Sequence, residues 1–150
     1  MANGVVTPID FSDVTDAVLA EAGRYAKALG AKIWLIHVAA AEPEFVGYEI
    51  GPVYVRDSVA RQLRNAHQEL QVYQDQLRAD GLDVTAMLVP GSPSLKVVEE
   101  IRELEPQLVV LGSHGHGALH NLLVGSVCQE VLKEAICPVL VVPFRRDDQE

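Results

Sequence analysis

Lysine and arginine are scarce in this chain, 12 residues against 21 aspartates and glutamates, for a formal charge of −9. A long polyanion binds only where many of its phosphates are neutralised, so the deficit argues against DNA or RNA as a partner. It does not exclude one small nucleotide, whose phosphates can be held by backbone N–H groups. Long hydrophobic runs are also missing: none approaches the roughly 20 apolar residues of a membrane span, so no membrane association is expected. Met1-Ala-Asn-Gly4 has no basic segment leading into an apolar core. A secretory signal is therefore not expected, and the cytoplasm is the expected compartment. Cysteine is rare, and Cys128 and Cys137 lack CxxC spacing. Free thiols are expected rather than a disulfide or redox pair. No internal repeat or second domain is evident. With 49% hydrophobic residues the 150-residue chain is expected to fold as one domain over residues 1–150.

What is present alternates strands with helices. Gly4 to Asp10 reads as a short strand, and Pro8 within it removes a ladder donor. Either the strand is ending there, or the chain bends from the sheet and offers its backbone to a ligand. Ser12 is placed as an N-cap with Asp13 and Asp16 in the first helical turn. Leu19, Ala22, Ala26 and Leu29 give that helix an apolar face, and Gly30 stops it. Lys32 to Val38 is apolar nearly throughout and should be covered on both sides. Trp34 reads as core, and His37 as a hydrogen-bonded histidine rather than a ligand.

The stretch from Ala39 to Gly51 carries Pro43, Gly47 and Gly51 without a period, and reads as a loop. Pro52 to about Asp80 is a long helix. Its stripe of Val59, Leu63, Ala66, Leu70, Tyr73 and Leu77 steps by 4, 3, 4, 3 and 4. Without an alternating charge pattern beside it, the stripe indicates a helix lying on a sheet rather than a coiled coil. Leu82 to Val89 is the third strand. Ser92 and Pro93 start a helix carrying Leu95, Val98, Ile101 and Leu104, which stops before Pro106. Leu108–Leu111, Ser126–Ala135 and Val139–Val142 complete the series, and the charged tail from Phe144 to Glu150 is expected to fray. This alternation implies a parallel sheet with helices on both faces.

In such sheets ligands bind beyond the carboxyl ends of the strands, where strand order reverses. Two carboxyl-end loops carry chemistry: Asp10-Phe-Ser12, and the run from Gly112 that includes Gly115 and Gly117. The second run is neither GxxxxGK[ST] nor GxGxxG, and no lysine lies between Gly112 and Leu132. Gly125-Ser126 at a helix start adds N–H groups, a dipole and a hydroxyl that can converge on one anion. His114, His116 and His120 lie close in sequence, but their spacing matches no zinc pattern. Asp10 can also be read as a plain helix-start acid, and Ser126 as merely an N-cap.

Gly112-x2-Gly115-x9-Gly125-Ser126 resembles the nucleotide-binding pattern of the universal stress protein family at all four positions. Pro8-Ile-Asp10-Phe-Ser12, Val89-Pro-Gly-Ser92, Val109-Val-Leu-Gly-Ser-His-Gly115 and Cys137-Pro-Val-Leu-Val-Val142 extend the likeness from about Val5 to Pro143. The resemblance implies a Rossmann-like three-layer αβα fold with a five-stranded parallel sheet of order 3-2-1-4-5. It implies ATP or AMP binding and a homodimer paired through Val139–Val142, an edge strand that would otherwise be an aggregation hazard. Asp10 would then lie near the ribose, with Gly112 and Gly115 under ribose and phosphates. Gly125, Ser126 and Val127 would hold phosphates, and Pro8 and Val38 would flank adenine. Mg²⁺ arriving with ATP would use Asp10.

Two departures stand out. His116 replaces a frequent arginine of relatives, and Asn3-Gly4 stands where relatives carry more apolar residues. The expected function is a stress-response or regulatory binding module with an unidentified protein partner. A slow ATPase or autophosphorylating protein using Ser126 and Asp10 is the enzymatic alternative. A nucleotide-independent dimeric interaction protein is the third.

Overall fold

The computed structural model describes residues 3–39, 53–114 and 124–143. In chain order these form β1 (Gly4–Pro8), α1 (Thr15–Leu29), β2 (Lys32–Ala39), α2 (Val53–Ala79), β3 (Val84–Pro90), α3 (Pro93–Leu104), β4 (Leu108–Gly112), α4 (Ser126–Glu134) and β5 (Val139–Val142). The strands pair in parallel, as the alternation implied, and in the order β3-β2-β1-β4-β5, as the resemblance implied. The Ala39–Gly51 loop beyond its first residue, the tail from Phe144, and Gly115, His116, Gly117 and His120 lie outside the described residues.

The sheet is covered on both faces, which explains why its central strands read as unbroken apolar runs. Alternation along β2 sends Ile33 and Leu35 into one core, shared with Val18, Leu19, Ala22 and Ala26 of α1 and Leu70 and Leu77 of α2. Ile36 and Val38 enter the other, with Val97, Val98 and Ile101 of α3 and Cys128 and Val131 of α4. Gly30, at φ 60, closes α1 in the left-handed conformation that favours glycine.

Pro8 stands in the most central strand of the sheet, where proline is ordinarily excluded, and the backbone geometry explains how. The Ile9 N–H donates to the Ile36 carbonyl on the β2 side, while the Gly4 carbonyl accepts from Gln107 on the β4 side. Alternation therefore turns the missing Pro8 donor toward β4. On the β2 side the register runs from Gly4 to Pro8. On the β4 side it holds only at Val5 and Val6. The two strands part where proline has nothing to donate, so the strand's end and the opening of a crevice are one event.

Several expectations need correcting. Ser12 does not cap α1. The helix starts at Thr15 behind Val14, with no side-chain cap bond among the described residues. The Asp10 carboxylate instead accepts the Ser12 N–H at 3.1 Å, and the Ser12 carbonyl accepts the Thr15 N–H at 3.0 Å. An aspartate turn thus occupies the place expected for a serine cap. Leu29 and Leu95 are 44% and 65% exposed; Val18 and Val97 carry the faces assigned to them. Among the described side chains of α2, Leu70, Tyr73 and Leu77 of its C-terminal half reach the core, and Leu63 of the same stripe is exposed. A helix of 27 residues is about 40 Å long, longer than the seven- and eight-residue strands β3 and β2.

Asn3-Gly4 has a local reason. A Cβ on Gly4 would stand 3.0 Å from the indole nitrogen of Trp34, so the small residue makes room for that ring. Trp34 is partly buried against the second core, with the Lys32 ammonium 4.2 Å from the ring centroid. Cys128 and Cys137 are free thiols, as expected.

Candidate functional site

The parting of β1 and β4 opens a cavity of about 230 Å³ at the carboxyl ends of the strands. Residues from both faces of the sheet line it: Val14, Thr15 and Val18 from the α1 side, Pro93, Val97, Val127 and Cys128 from the α3–α4 side. Pro8, Asp10, Val38, Gly112, Gly125, Ser126 and Val127, seven of the nine site residues expected from sequence, are among the lining. Gly115 and His116 lie outside the described residues.

Each wall has a local cause. Gly125 is extended, at φ −73 and ψ 167, and precedes the first turn of α4. Its own N–H donates to the Ser113 carbonyl at 2.6 Å, fastening the helix start to the end of β4. The first helical bond to Gly125 comes from Gln129 at 2.9 Å. The N–H groups of Ser126, Val127 and Cys128 consequently have no acceptor within the helix. They sit at the positive end of its dipole and beside the cavity, which is how a backbone prepares to hold an anion. The Ser126 hydroxyl does not cap α4; Gly125 occupies the cap position.

Gly112 is required by packing. A Cβ there would stand 2.6 Å from Val14 Cγ1 and 3.2 Å from the His114 carbonyl. The end of β4 and the start of α1 thus approach as closely as a glycine permits, and both border the cavity.

The Asp10 loop is held from behind. Phe11 has φ 61, uncommon for a bulky residue, and its ring stacks on His37 at 4.1 Å between centroids. Tyr73 of α2 continues the stack at 6.1 Å from Phe11. His37 Nδ1 donates to the Ile9 carbonyl at 2.9 Å, which assigns that tautomer and makes this histidine a structural brace. Burial, with Asp16 and Glu69 nearby, pushes the Tyr73 phenol up from 10.0 and keeps it protonated.

Electrostatically the cavity depends on backbone dipoles. Among the described lining residues there is no lysine or arginine, and Asp10 and His114 supply the side-chain charge chemistry. Ser113 Oγ lies 2.8 Å from His114 Nδ1. Burial pushes the Cys128 thiol above its ordinary 9.0, so it lines the cavity as a neutral, weakly polar group.

Sequence reasoning missed Thr15, Pro93, Val97 and Cys128 as lining residues. Pro93 and Cys128 carried a signal, since each lies in the first turn of a helix that starts at a carboxyl end. Thr15 carried the same signal, at the start of α1 and four residues before Leu19 on its buried face.

Comparison with known proteins agrees with this architecture. The family model described as Universal stress protein family matches residues 1–143. A universal stress protein of Methanocaldococcus jannaschii is 31% identical over 139 residues, spanning 92% of this chain and 80% of that protein. One from Thermus aquaticus is 28% identical over 148 residues, 95% of this chain and 99% of its own length. Among solved structures, a second M. jannaschii universal stress protein superposes with a TM-score of 0.76 at 25% identity, covering 97% of this chain and 99% of that one. A universal stress protein solved in complex with cAMP gives a TM-score of 0.67 at 25% identity, covering 95% of this chain and 97% of that one. The chain described here belongs to the universal stress protein family.

Proposed function

We propose that this protein binds an adenine nucleotide, ATP or AMP, in the cavity between β1 and β4, and acts as a nucleotide-dependent binding module in a stress or regulatory response. The observation that carries the reading is the first turn of α4. Its three N–H groups, at Ser126, Val127 and Cys128, lack helical acceptors beside a crevice at the carboxyl ends of the strands. A relative solved with cAMP, itself an adenine nucleotide, supports the same ligand class.

In this reading the α4 amides, with Gly125 and the Ser126 hydroxyl, hold phosphate. Gly112 and Gly115 run beneath ribose and phosphates, with His116 beside them. The Asp10 carboxylate, pinned by its bond to the Ser12 N–H, faces the ribose or a Mg²⁺ carried in with ATP. Pro8 and Val38 flank the base.

The arrangement favours holding a nucleotide over turning it over. Phosphoryl transfer needs positive charge at the γ-phosphate, and the described lining offers N–H groups and His114 but no lysine or arginine. β5 lies at the sheet edge with half-buried Val139, Leu140 and Val141. Its pairing with a second copy is proposed as the homodimer contact, in a cytoplasmic protein that acts through a further protein partner.

Two measurements test the proposal: mass spectrometry of what the purified protein releases on denaturation, and calorimetric titration with ATP and AMP. An adenine nucleotide in the first, or saturable binding in the second, is expected. Their joint absence would refute the reading and leave the nucleotide-independent interaction protein in its place.

A further inference from the structure

Three hydroxyls in the β1–α1 corner, on Thr7, Ser12 and Thr15, are buried with no hydrogen-bond partner among the described residues. A buried hydroxyl without a partner forfeits the hydrogen bonds it had in water, so each needs an explanation. Thr15 differs from the other two because it lines the cavity. It is 2% exposed and belongs to the first turn of α1. Its neighbours on that wall, Val14 and Val18, are apolar, as is Ile36 on the adjoining strand.

We propose that Thr15 is a ligand-contacting, affinity-determining residue whose hydroxyl makes its missing hydrogen bond to the nucleoside part of the bound nucleotide. The inference rests on the nucleotide reading of the same cavity. The assignment to the nucleoside follows from placement. The phosphate-holding amides belong to α4 on one face of the sheet, whereas Thr15 belongs to α1 on the other. A threonine in a helix has two accessible χ1 wells, so its hydroxyl can turn to meet a ligand while its methyl takes the vacated space. A base or ribose entering this apolar wall has no other described side-chain hydroxyl on α1 lining it.

The test compares wild type with Thr15→Val, which keeps the shape and removes the hydroxyl, and with Thr15→Ser, which keeps the hydroxyl. ATP and AMP affinities are measured by calorimetry, and the stability of the ligand-free proteins by urea unfolding. Thr15→Val is expected to weaken ATP and AMP by the same factor, about five- to tenfold, the worth of one hydrogen bond. Thr15→Ser is expected to stay within about twofold of wild type, a smaller loss than that of one hydrogen bond. Ligand-free Thr15→Val is expected to unfold at equal or higher urea, because it no longer buries an unpaired hydroxyl.

Unchanged nucleotide affinity in Thr15→Val, with wild type binding, overturns the Thr15 assignment and leaves the nucleotide reading standing. No binding of ATP or AMP by wild type overturns both. A ligand-free Thr15→Val that is less stable while its affinity is unchanged assigns the hydroxyl to the fold and also overturns the proposal. Should Thr15→Val fail to fold, Thr15→Ala carries the same comparison against Thr15→Ser.

Discussion

Gly112→Ala is the sharpest probe of how the crevice is built. The added methyl would stand 2.6 Å from Val14 Cγ1 and 3.4 Å from Cγ2, with the His114 carbonyl at 3.2 Å. Val14 is 6% exposed and β-branched, so it has little rotamer freedom with which to retreat. Overpacking of this kind costs about 1–3 kcal/mol. Replacing a strand glycine by alanine returns about 0.5–1 kcal/mol by narrowing the unfolded ensemble. The expected net loss is about 1–2 kcal/mol, since strain exceeds the entropic gain. Urea unfolding would show it as a lower midpoint at unchanged slope.

The cause can be isolated with Val14→Ala, which deletes the clashing Cγ1 methyl together with Cγ2. The double variant should lose less stability than the sum of its two single variants, because the alanine at 112 then enters vacated space. Both residues line the cavity, so the single variant should weaken nucleotide binding as well. A Gly112→Ala protein as stable as wild type would refute the close-approach argument, and strict additivity would refute its attribution to Val14.

Ser126→Pro should keep α4 and lose affinity. Proline is favoured at the first helical position, and Gly125 before it is already extended at φ −73 and ψ 167. One N–H and one hydroxyl leave the anion-holding turn, so ATP binding should fall about tenfold or more while the unfolding midpoint changes little. Lost stability with retained affinity would place Ser126 in the fold rather than the site. Burial raises the Cys128 and Cys137 thiol pKa values above 9.0, so alkylation at pH 8 should be far slower in the native protein than in urea. Because the unfolded chain releases those protons first, their contribution is constant below about pH 9 and erodes stability as pH rises beyond it. A Cys128→Val variant should therefore lose less stability than wild type between pH 8 and 10, measured by urea unfolding at each pH.

How legible the molecule was depended on whether a feature was local. β5 was read to the residue and β2 to within one, because a short apolar run with glycine before it or proline after it is a local signal. Gly30 ended α1 as expected, since a left-handed cap asks for glycine whatever surrounds it. The start of α1 was misread because Asp10, Ser12 and Asp13 all suit a helix entrance. Only the fold decides that the Asp10 carboxylate takes the Ser12 N–H and delays the helix to Thr15. That shift of two residues leaves the helical period unchanged: Leu19, Ala22 and Ala26 are buried as read, Leu29 in the last turn is exposed, and Thr15, four residues before Leu19 on the same face, was passed over. The α2 stripe was periodic throughout, but periodicity cannot show that Leu63 stays exposed while Leu70 and Leu77 are buried. At the site, the glycine-serine pattern located the α4 turn, whereas the packing demand at Gly112 depends on Val14, about a hundred positions away in sequence.

The central claim is that the β1–β4 crevice and the α4 amides receive an adenine nucleotide. An ATP titration of ¹⁵N-labelled protein, followed residue by residue by amide chemical shift, tests it most directly. The account predicts saturable shifts largest at Gly112, Gly125, Ser126, Val127 and Cys128, with smaller ones at Asp10 and Thr15 and little change along β3 or the C-terminal half of α2. Saturable shifts centred elsewhere, or a spectrum unmoved by millimolar ATP, would contradict it.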